Sequence, residues 1–346
     1  MRMLRVKYNK LFVTDNTKIA CIHRQIGRVI MELKGKKVMV VGTGISGIGA
    51  IDLLNKAGAD CIIYDANEKL TEEAVAKKLN GNKAQIIIGE LADDITEKVE
   101  LLVISPGVPV DSPLVKKFEE AGVPVWGEIE LAYNYDKGRI IAITGTNGKT
   151  TTTALVGQIV KAYNEQTYVV GNIGNSYTGE VLKTSENSYT VAEISSFQLE
   201  TVHRFHPVVS AILNITPDHL NRHHTMECYA HTKERIAENQ TKDDVCVLNM
   251  EDEELYRFGS ECKASVVWFS SKRKPDKGAY LDGDDIRYTD GTQDKLMLNI
   301  HDMNLLGTHN YENVCAAIAM TKAVGIPDDI IIEQVKCFKA VEHRIE

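Results

Sequence analysis

The chain has 346 residues, 43% of them hydrophobic and 25% charged, a balance that suits a globular protein of two or three domains with a sizeable core. Its 48 acidic and 40 basic side chains give a formal charge of −8, which argues against nucleic acid held by a general basic footprint; a phosphorylated ligand needs local donors instead. The seven cysteines are scattered without a Cys-x-x-Cys pair, which fits reduced thiols in cytoplasm, and no apolar run is long enough for membrane insertion.

Residues 1–30 show neither clear periodicity nor the apolar core of a signal peptide, and read as an N-terminal extension. From Val38 the pattern becomes a strand to Val41, a glycine turn over Gly42-Thr-Gly-Ile-Ser-Gly47, a helix carrying Ile48, Ile51, Leu54 and Ala57, and a strand from Cys61 to Tyr64 that ends on Asp65. A strand at Leu101–Ile104 follows, then Ser105-Pro-Gly107, a helix from Pro113 that Ser112 can cap, a strand at Val123–Trp126 and a short helix at Glu128–Tyr133. Such alternation predicts a parallel, doubly wound sheet over 31–133, with 134–138 as linker. Gly42-x-Gly44-x-x-Gly47 with Asp65 at a strand end is the dinucleotide fingerprint, and alone it would favour a dehydrogenase. Any diphosphate can lie on that helix end, however.

A second glycine turn changes the balance. Ile140, Ile141 and Ile143 predict a strand, and Leu155, Val156, Ile159 and Ala162 a helix over 152–163; between them lie Gly145, Thr146, Asn147, Gly148, Lys149, Thr150 and Thr151. Backbone N–H groups and a positive helix end there suit phosphate oxygens, with Lys149 as a mobile cation and Thr150 as a hydroxyl ligand for Mg²⁺. The usual phosphate loop has a further glycine where this chain has Ile143. Two such turns in one chain are better explained by a nucleotide-linked substrate in the first domain and ATP in the second, 139–340, than by a dehydrogenase.

Further along, Glu193 ends an apolar run and could hold Mg²⁺, although a solvated strand end explains it equally well by spacing. Ile212-Leu-Asn-Ile-Thr-Pro-Asp-His219 brings His219 to another strand end, where a metal ligand and an ordinary surface histidine both fit. Lys233 lies on a helix from about Met226 to Asn239 that Thr225 caps; such a lysine is usually solvated. Residues 266–300 turn to short β segments around Asp282-Gly and Asp290-Gly. Asn310 and Asn313, three apart at the start of an alanine-rich helix, can read an adenine edge or cap the helix.

These segments together with Gly171-Asn-Ile-Gly174, Glu193-Ile-Ser-Ser-Phe-Gln-Leu-Glu200, Thr216-Pro-Asp-His-Leu-Asn-Arg222 and His343-Arg344 resemble the Mur ligase family, in family order from Met31 to Glu346. The resemblance implies an α/β protein: a Rossmann-like UDP-binding domain, then a P-loop ATPase-type central domain with a mostly parallel sheet and a small β subdomain. The Ser-Ser-Phe-Gln-Leu-Glu run points to the branch that joins D-glutamate to UDP-N-acetylmuramoyl-L-alanine, with ATP and Mg²⁺ as cofactors, in a cytoplasmic monomer. Lys149 and Thr150 then hold ATP and Mg²⁺, Glu193 is a metal ligand, His219 lies by a second metal, and Lys233 is a lysine carbamylated by CO₂. Asn310, Asn313 and Arg344 fall at the nucleotide, and Gly44, Ile45, Ser46, Asp65, Ser105, Pro106, Gly107 and Asn172 at the UDP-linked substrate. Ala66 and Asn67 stand where some relatives use hydroxyl or cationic side chains near uracil. Residues 341–346 fall where the family starts a third domain, so this chain alone is expected to bind both substrates but to ligate poorly.

Overall fold

The computed structural model describes residues 30–172 and 175–339; Arg344 and residues 1–29 of the extension lie outside the described residues. Five strands, β1 (Lys37–Val41), β2 (Asp60–Asp65), β3 (Gln85–Ile88), β4 (Leu101–Ile104) and β5 (Val125–Gly127), form a parallel sheet in the order β3-β2-β1-β4-β5. Met39, Val41, Ile62, Tyr64, Leu102 and Ile104 bury one of its faces against Val115 and Phe118 of the helix at Pro113–Glu120. That helix starts as expected, with Ser112 Oγ accepting from Val115 N at 3.4 Å. The chain winds outward from β1 to β3 and returns to β4 on the other side. The crevice between β1 and β4 is therefore a switch point, where open α/β sheets bind ligands.

The second sheet has nine strands: β6 (Arg139–Thr144), β7 (Thr167–Gly171), β8 (Tyr189–Glu193), β9 (Val209–Ile212), β10 (Val245–Asn249), β11 (Ser265–Ser270), β12 (Gly278–Asp282), β13 (Asp285–Thr289) and β14 (Asp294–Asn299). Their order is β14-β13-β12-β11-β10-β9-β6-β8-β7. It is parallel from β7 to β12 and becomes antiparallel in the hairpins of β12, β13 and β14. The short β segments seen in the sequence thus continue the central sheet as its edge. The helix Thr308–Ala323 covers one face with a continuous apolar run from Val314 to Met320, which explains its alanine content: small side chains let a helix lie close to a sheet. Here too the second switch point, between β9 and β6, sits where the phosphate loop leaves the sheet.

Both sheets belong to one compact unit, and the contacts between them are specific. All six residues of the helix Glu128–Tyr133 are buried. Glu130 accepts from the backbone N–H groups of His203, Arg204 and Phe205 at 3.0, 3.0 and 3.1 Å, and Glu128 accepts from Gln198 Nε2 at 2.6 Å. The expected linker is fastened as well, because buried Asp136 accepts from Tyr177 OH and Thr190 Oγ1, both at 2.7 Å. No helix among the described residues is long and apolar enough to cross a membrane.

Candidate active site

The first glycine turn closes against β4. The helix after β1 begins at Ile45, three residues earlier than its apolar spacing suggests, with Gly44 as N-cap and no side-chain cap. Its first N–H groups are thus left for a ligand. A Cβ on Gly47 would lie 1.9 Å from the Gly42 carbonyl oxygen, so only glycine permits this turn. Ser105 Oγ, at the end of β4, is buried against the turn and has no hydrogen-bond partner among the described residues. Ile45 is 88% exposed beside it, an apolar surface at the mouth of the crevice.

Asp65 serves the turn itself: its Oδ2 accepts from Thr43 N at 3.1 Å and Thr43 Oγ1 at 2.8 Å, a partner the sequence analysis did not name. Asp65→Ala removes both contacts that brace the turn, and is expected to weaken UDP binding about tenfold or more. An unchanged Kd by calorimetry would remove Asp65 from the site.

The second turn is built from three strand ends, β6, β8 and β9. The helix begins at Lys149, not at Thr152, because Gly148 is its N-cap in the left-handed region, φ 82°. A Cβ there would meet Asn313 Oδ1 at 2.3 Å, so glycine is required twice over. Lys149 Nζ donates to Thr146 O at 2.7 Å, folded back over its own loop. Thr146 Oγ1 lies 3.2 Å from Tyr229 OH and accepts from Thr216 N at 3.1 Å. Of the threonine run, Thr150 and Thr151 remain partly exposed while Thr152 and Thr153 are buried.

Lys233 is not a solvated helix lysine. It is 1% exposed, donates to Gly145 O at 2.8 Å and lies over the Tyr229 ring at 4.5 Å. Desolvation, reinforced by the charge of Lys149 and opposed by Asp218, pulls its pKa down to about 7. His219 takes a left-handed backbone, φ 51°, stacks on Phe197 at 4.9 Å and keeps its ring half exposed. Phe197 in turn contacts His223, and His223 contacts Tyr229, so an aromatic layer joins His219 to the wall around Lys233. Burial lowers the pKa of His223, whose Nε2 is 2.9 Å from Ser196 Oγ. Arg222 clamps the layer to the first sheet, with bonds to both Glu200 oxygens and to Val108 O.

Glu193 ends β8 beside Ile143 of β6 and is 1% exposed. Its Oε1 accepts from Asn172 Nδ2 at 2.9 Å, whereas Oε2 is buried with no donor among the described residues. A buried carboxylate oxygen without a donor is costly unless a cation meets it, so this residue fits Mg²⁺ and is no solvated strand end. Among the described residues no three His, Cys, Asp or Glu side chains converge on one point. Mg²⁺ takes one or two carboxylates and completes its shell with phosphate oxygens and water.

Next to the loop opens a cleft of about 410 Å³, lined by Asn147, Gly148, Leu213, Asn214, Thr216, Phe269, His309, Glu312 and Asn313. Its mixed walls suit a nucleoside, with the phosphates at the helix end. Asn313 is in place, but Asn310 is not among the lining residues: its Nδ2 donates to Leu306 O at 2.8 Å, within its own helix start. Phe269, His309 and Asn214 were missed, since an aromatic near a strand end, a histidine in the first turn of a helix and a loop asparagine have no spacing signature.

Residues 36–127 match the model of the Mur ligase MurD-like N-terminal domain, and 143–321 that of the Mur ligase middle domain. The chain is 79% identical over 316 residues to the UDP-N-acetylmuramoylalanine--D-glutamate ligase of Lachnospira eligens, covering 91% of this chain and 70% of that protein. To the protein of the same name from Clostridioides difficile it is 45% identical over 319 residues, with the same coverage. In fold it is similar to a UDP-N-acetylmuramate:L-alanyl-gamma-D-glutamyl-meso-diaminopimelate ligase from Neisseria meningitides, with TM-score 0.58 and 17% identity over 89% of this chain and all of that one.

Proposed function

The chain belongs to the Mur ligase family, and from that premise we propose that it is the ATP-dependent ligase that adds D-glutamate to UDP-N-acetylmuramoyl-L-alanine in peptidoglycan synthesis. The observation that carries this reading is the pairing of two glycine turns, each at the switch point of its own sheet, with the donor-free carboxylate of Glu193 beside the second. A hydride-transfer enzyme has no use for the second turn. Residues 31–133 then hold the UDP-linked substrate and 139–340 hold ATP, in a cytoplasmic monomer.

Amide formation from a carboxylate needs a better leaving group than oxide. The substrate carboxylate attacks the γ-phosphorus of ATP, ADP departs, and the amine of D-glutamate displaces phosphate from the resulting acyl phosphate. Lys149 and the N–H groups at the helix end neutralise charge on the β and γ phosphates. Thr150 and Glu193 are the residues that would hold Mg²⁺, with His219 beside a second ion, and the metal would supply further charge neutralisation at the phosphates. Asn172 orients Glu193 and lies next to the substrate. Lys233 completes the set as a carbamate: at a pKa of about 7 roughly half of its amine is neutral at neutral pH, and only the neutral amine adds to CO₂.

Two experiments bear on this. In a ligase spanning the full length of the curated relatives, ADP release that requires both D-glutamate and UDP-N-acetylmuramoyl-L-alanine is expected, and in this chain binding of ATP and UDP; tight NAD binding without UDP binding would reverse the assignment of the first domain. Lys233→Ala should lose activity and regain part of it with short carboxylic acids that replace the carbamate. For the native enzyme, CO₂ stimulation should grow as pH rises through 7. Full activity of Lys233→Ala in CO₂-depleted buffer would exclude the carbamate.

A further inference from the structure

The carboxamide of Asn214 occupies an unusual place in the phosphate loop. Asn214 lies two residues beyond β9, in the crevice beside β6, and lines the nucleotide cleft. Its Oδ1 accepts from two consecutive loop N–H groups, Thr146 at 3.1 Å and Asn147 at 2.8 Å, while its Nδ2 donates to Asn147 O at 3.0 Å. Its own backbone carbonyl also accepts from Thr146 N, at 3.0 Å. One side chain thus satisfies both polar groups of Asn147 and holds the loop from within, without any nucleotide.

These bonds divide the donors of the loop. The N–H groups of Thr146 and Asn147 are committed to protein, and the helix proper begins only with the bond from Thr152 N to Gly148 O. The N–H groups of Thr150 and Thr151 precede the first intrahelical bond, at the helix end. They face the same end of the helix as the Lys149 ammonium and the Thr150 hydroxyl. A phosphate group arriving at the loop therefore meets donors that are already aimed, because the segment leading to them cannot collapse onto the ligand.

We propose that Asn214 is a positioning residue for ATP: by filling the N–H groups of Thr146 and Asn147 it fixes the loop in its binding form and assigns the phosphates to the N–H groups of the helix end. This rests on the reading of the loop as an ATP site. Wild-type binding of ATP and ADP tests that reading by itself, and the variants test the role of Asn214.

Asn214→Ala should weaken ATP and ADP binding by roughly ten- to hundredfold, the scale for losing two such hydrogen bonds. UDP affinity should stay unchanged, since UDP does not use this loop, and adenosine affinity should fall much less than ATP affinity, since adenosine has no phosphate at the helix end. Amide hydrogen exchange separates loop order from general damage: the Asn147 N–H is expected to be protected without nucleotide in the wild type, to exchange fast in Asn214→Ala, and to remain protected in Asn214→Asp, which keeps the acceptor oxygen. Equal loss of adenosine affinity would make Asn214 a mere wall of the cleft, and unchanged ATP affinity with unchanged exchange at Asn147 would overturn the proposal. If Asn214→Ala fails to fold, the exchange pattern and ADP affinity of Asn214→Ser decide in its place, with the same loss expected because the shorter hydroxyl cannot bridge both N–H groups.

Discussion

Replacing Lys149 by alanine is expected to lower the rate of ADP formation by about 10² to 10³, the cost of removing one preorganised charge from a developing transition state. The loop already holds this ammonium within its own turn, 2.7 Å from the Thr146 carbonyl, so the cation is in the site before the nucleotide arrives. Its partner in charge, Lys233, is buried on the other side of the loop and bonded to Gly145 O. It cannot swing across to compensate. A second effect follows from the electrostatics. The charge of Lys149 is one reason that the Lys233 pKa is low, after desolvation, so Lys149→Ala should raise that pKa and move the CO₂-dependent part of the pH profile to higher pH. Turnover close to the native rate would remove the loop from the ATP site, whereas a slowed enzyme with an unshifted profile would separate the two lysines.

Much of this site was legible because its backbone chemistry is local. Glycine at 42, 47, 145 and 148, a lysine and threonines at a helix start, and apolar strands before them need no tertiary information. The same holds for Ser112 before Pro113. What escaped was set by packing. β3 is four residues long and only half buried at the sheet edge, and the helix Glu72–Leu79 before it buries just Val75 and Leu79, so neither leaves a periodic signal. The helices start at Ile45 and Lys149, three residues before their apolar spacing begins, because their first turns face the ligand site and not the core. Lys233 looked solvated in the sequence, since a charged helix carries no mark of the cavity wall that Tyr229 and Gly145 make around it. Glu193 could not be told from a solvated strand end until its burial was known.

Glu130→Ala is expected to destabilise the folded protein by about 3–5 kcal/mol in urea unfolding, more than any surface charge would. The side chain is fully buried and its two oxygens accept four bonds, three from consecutive backbone N–H groups of residues 203–205 and one from Arg204 Nε at 3.3 Å. Arg204 is the lesser loss, because its guanidinium keeps Asn134 Oδ1 at 3.1 Å and the Trp126 ring at 5.0 Å. The backbone donors have no such reserve. Each left without a partner costs about 1–3 kcal/mol, and Phe205 N is in a fully buried residue where water cannot easily replace the carboxylate. Glu130→Gln retains one acceptor oxygen and turns an amide donor toward the remaining N–H groups, so it should fall between the alanine variant and the native protein. The damage should also reach the site, because Glu128, two residues away, bonds Gln198, and Gln198 Oε1 accepts from Ser195 N two residues after Glu193. A helix that loosens at Glu130 loosens that chain of bonds, and the affinity for the UDP-linked substrate should drop before UDP affinity does. Unfolding within about 0.5 kcal/mol of the native value, the range of ordinary surface changes, would mean that water satisfies these amides and that Glu130 does not hold the two halves together.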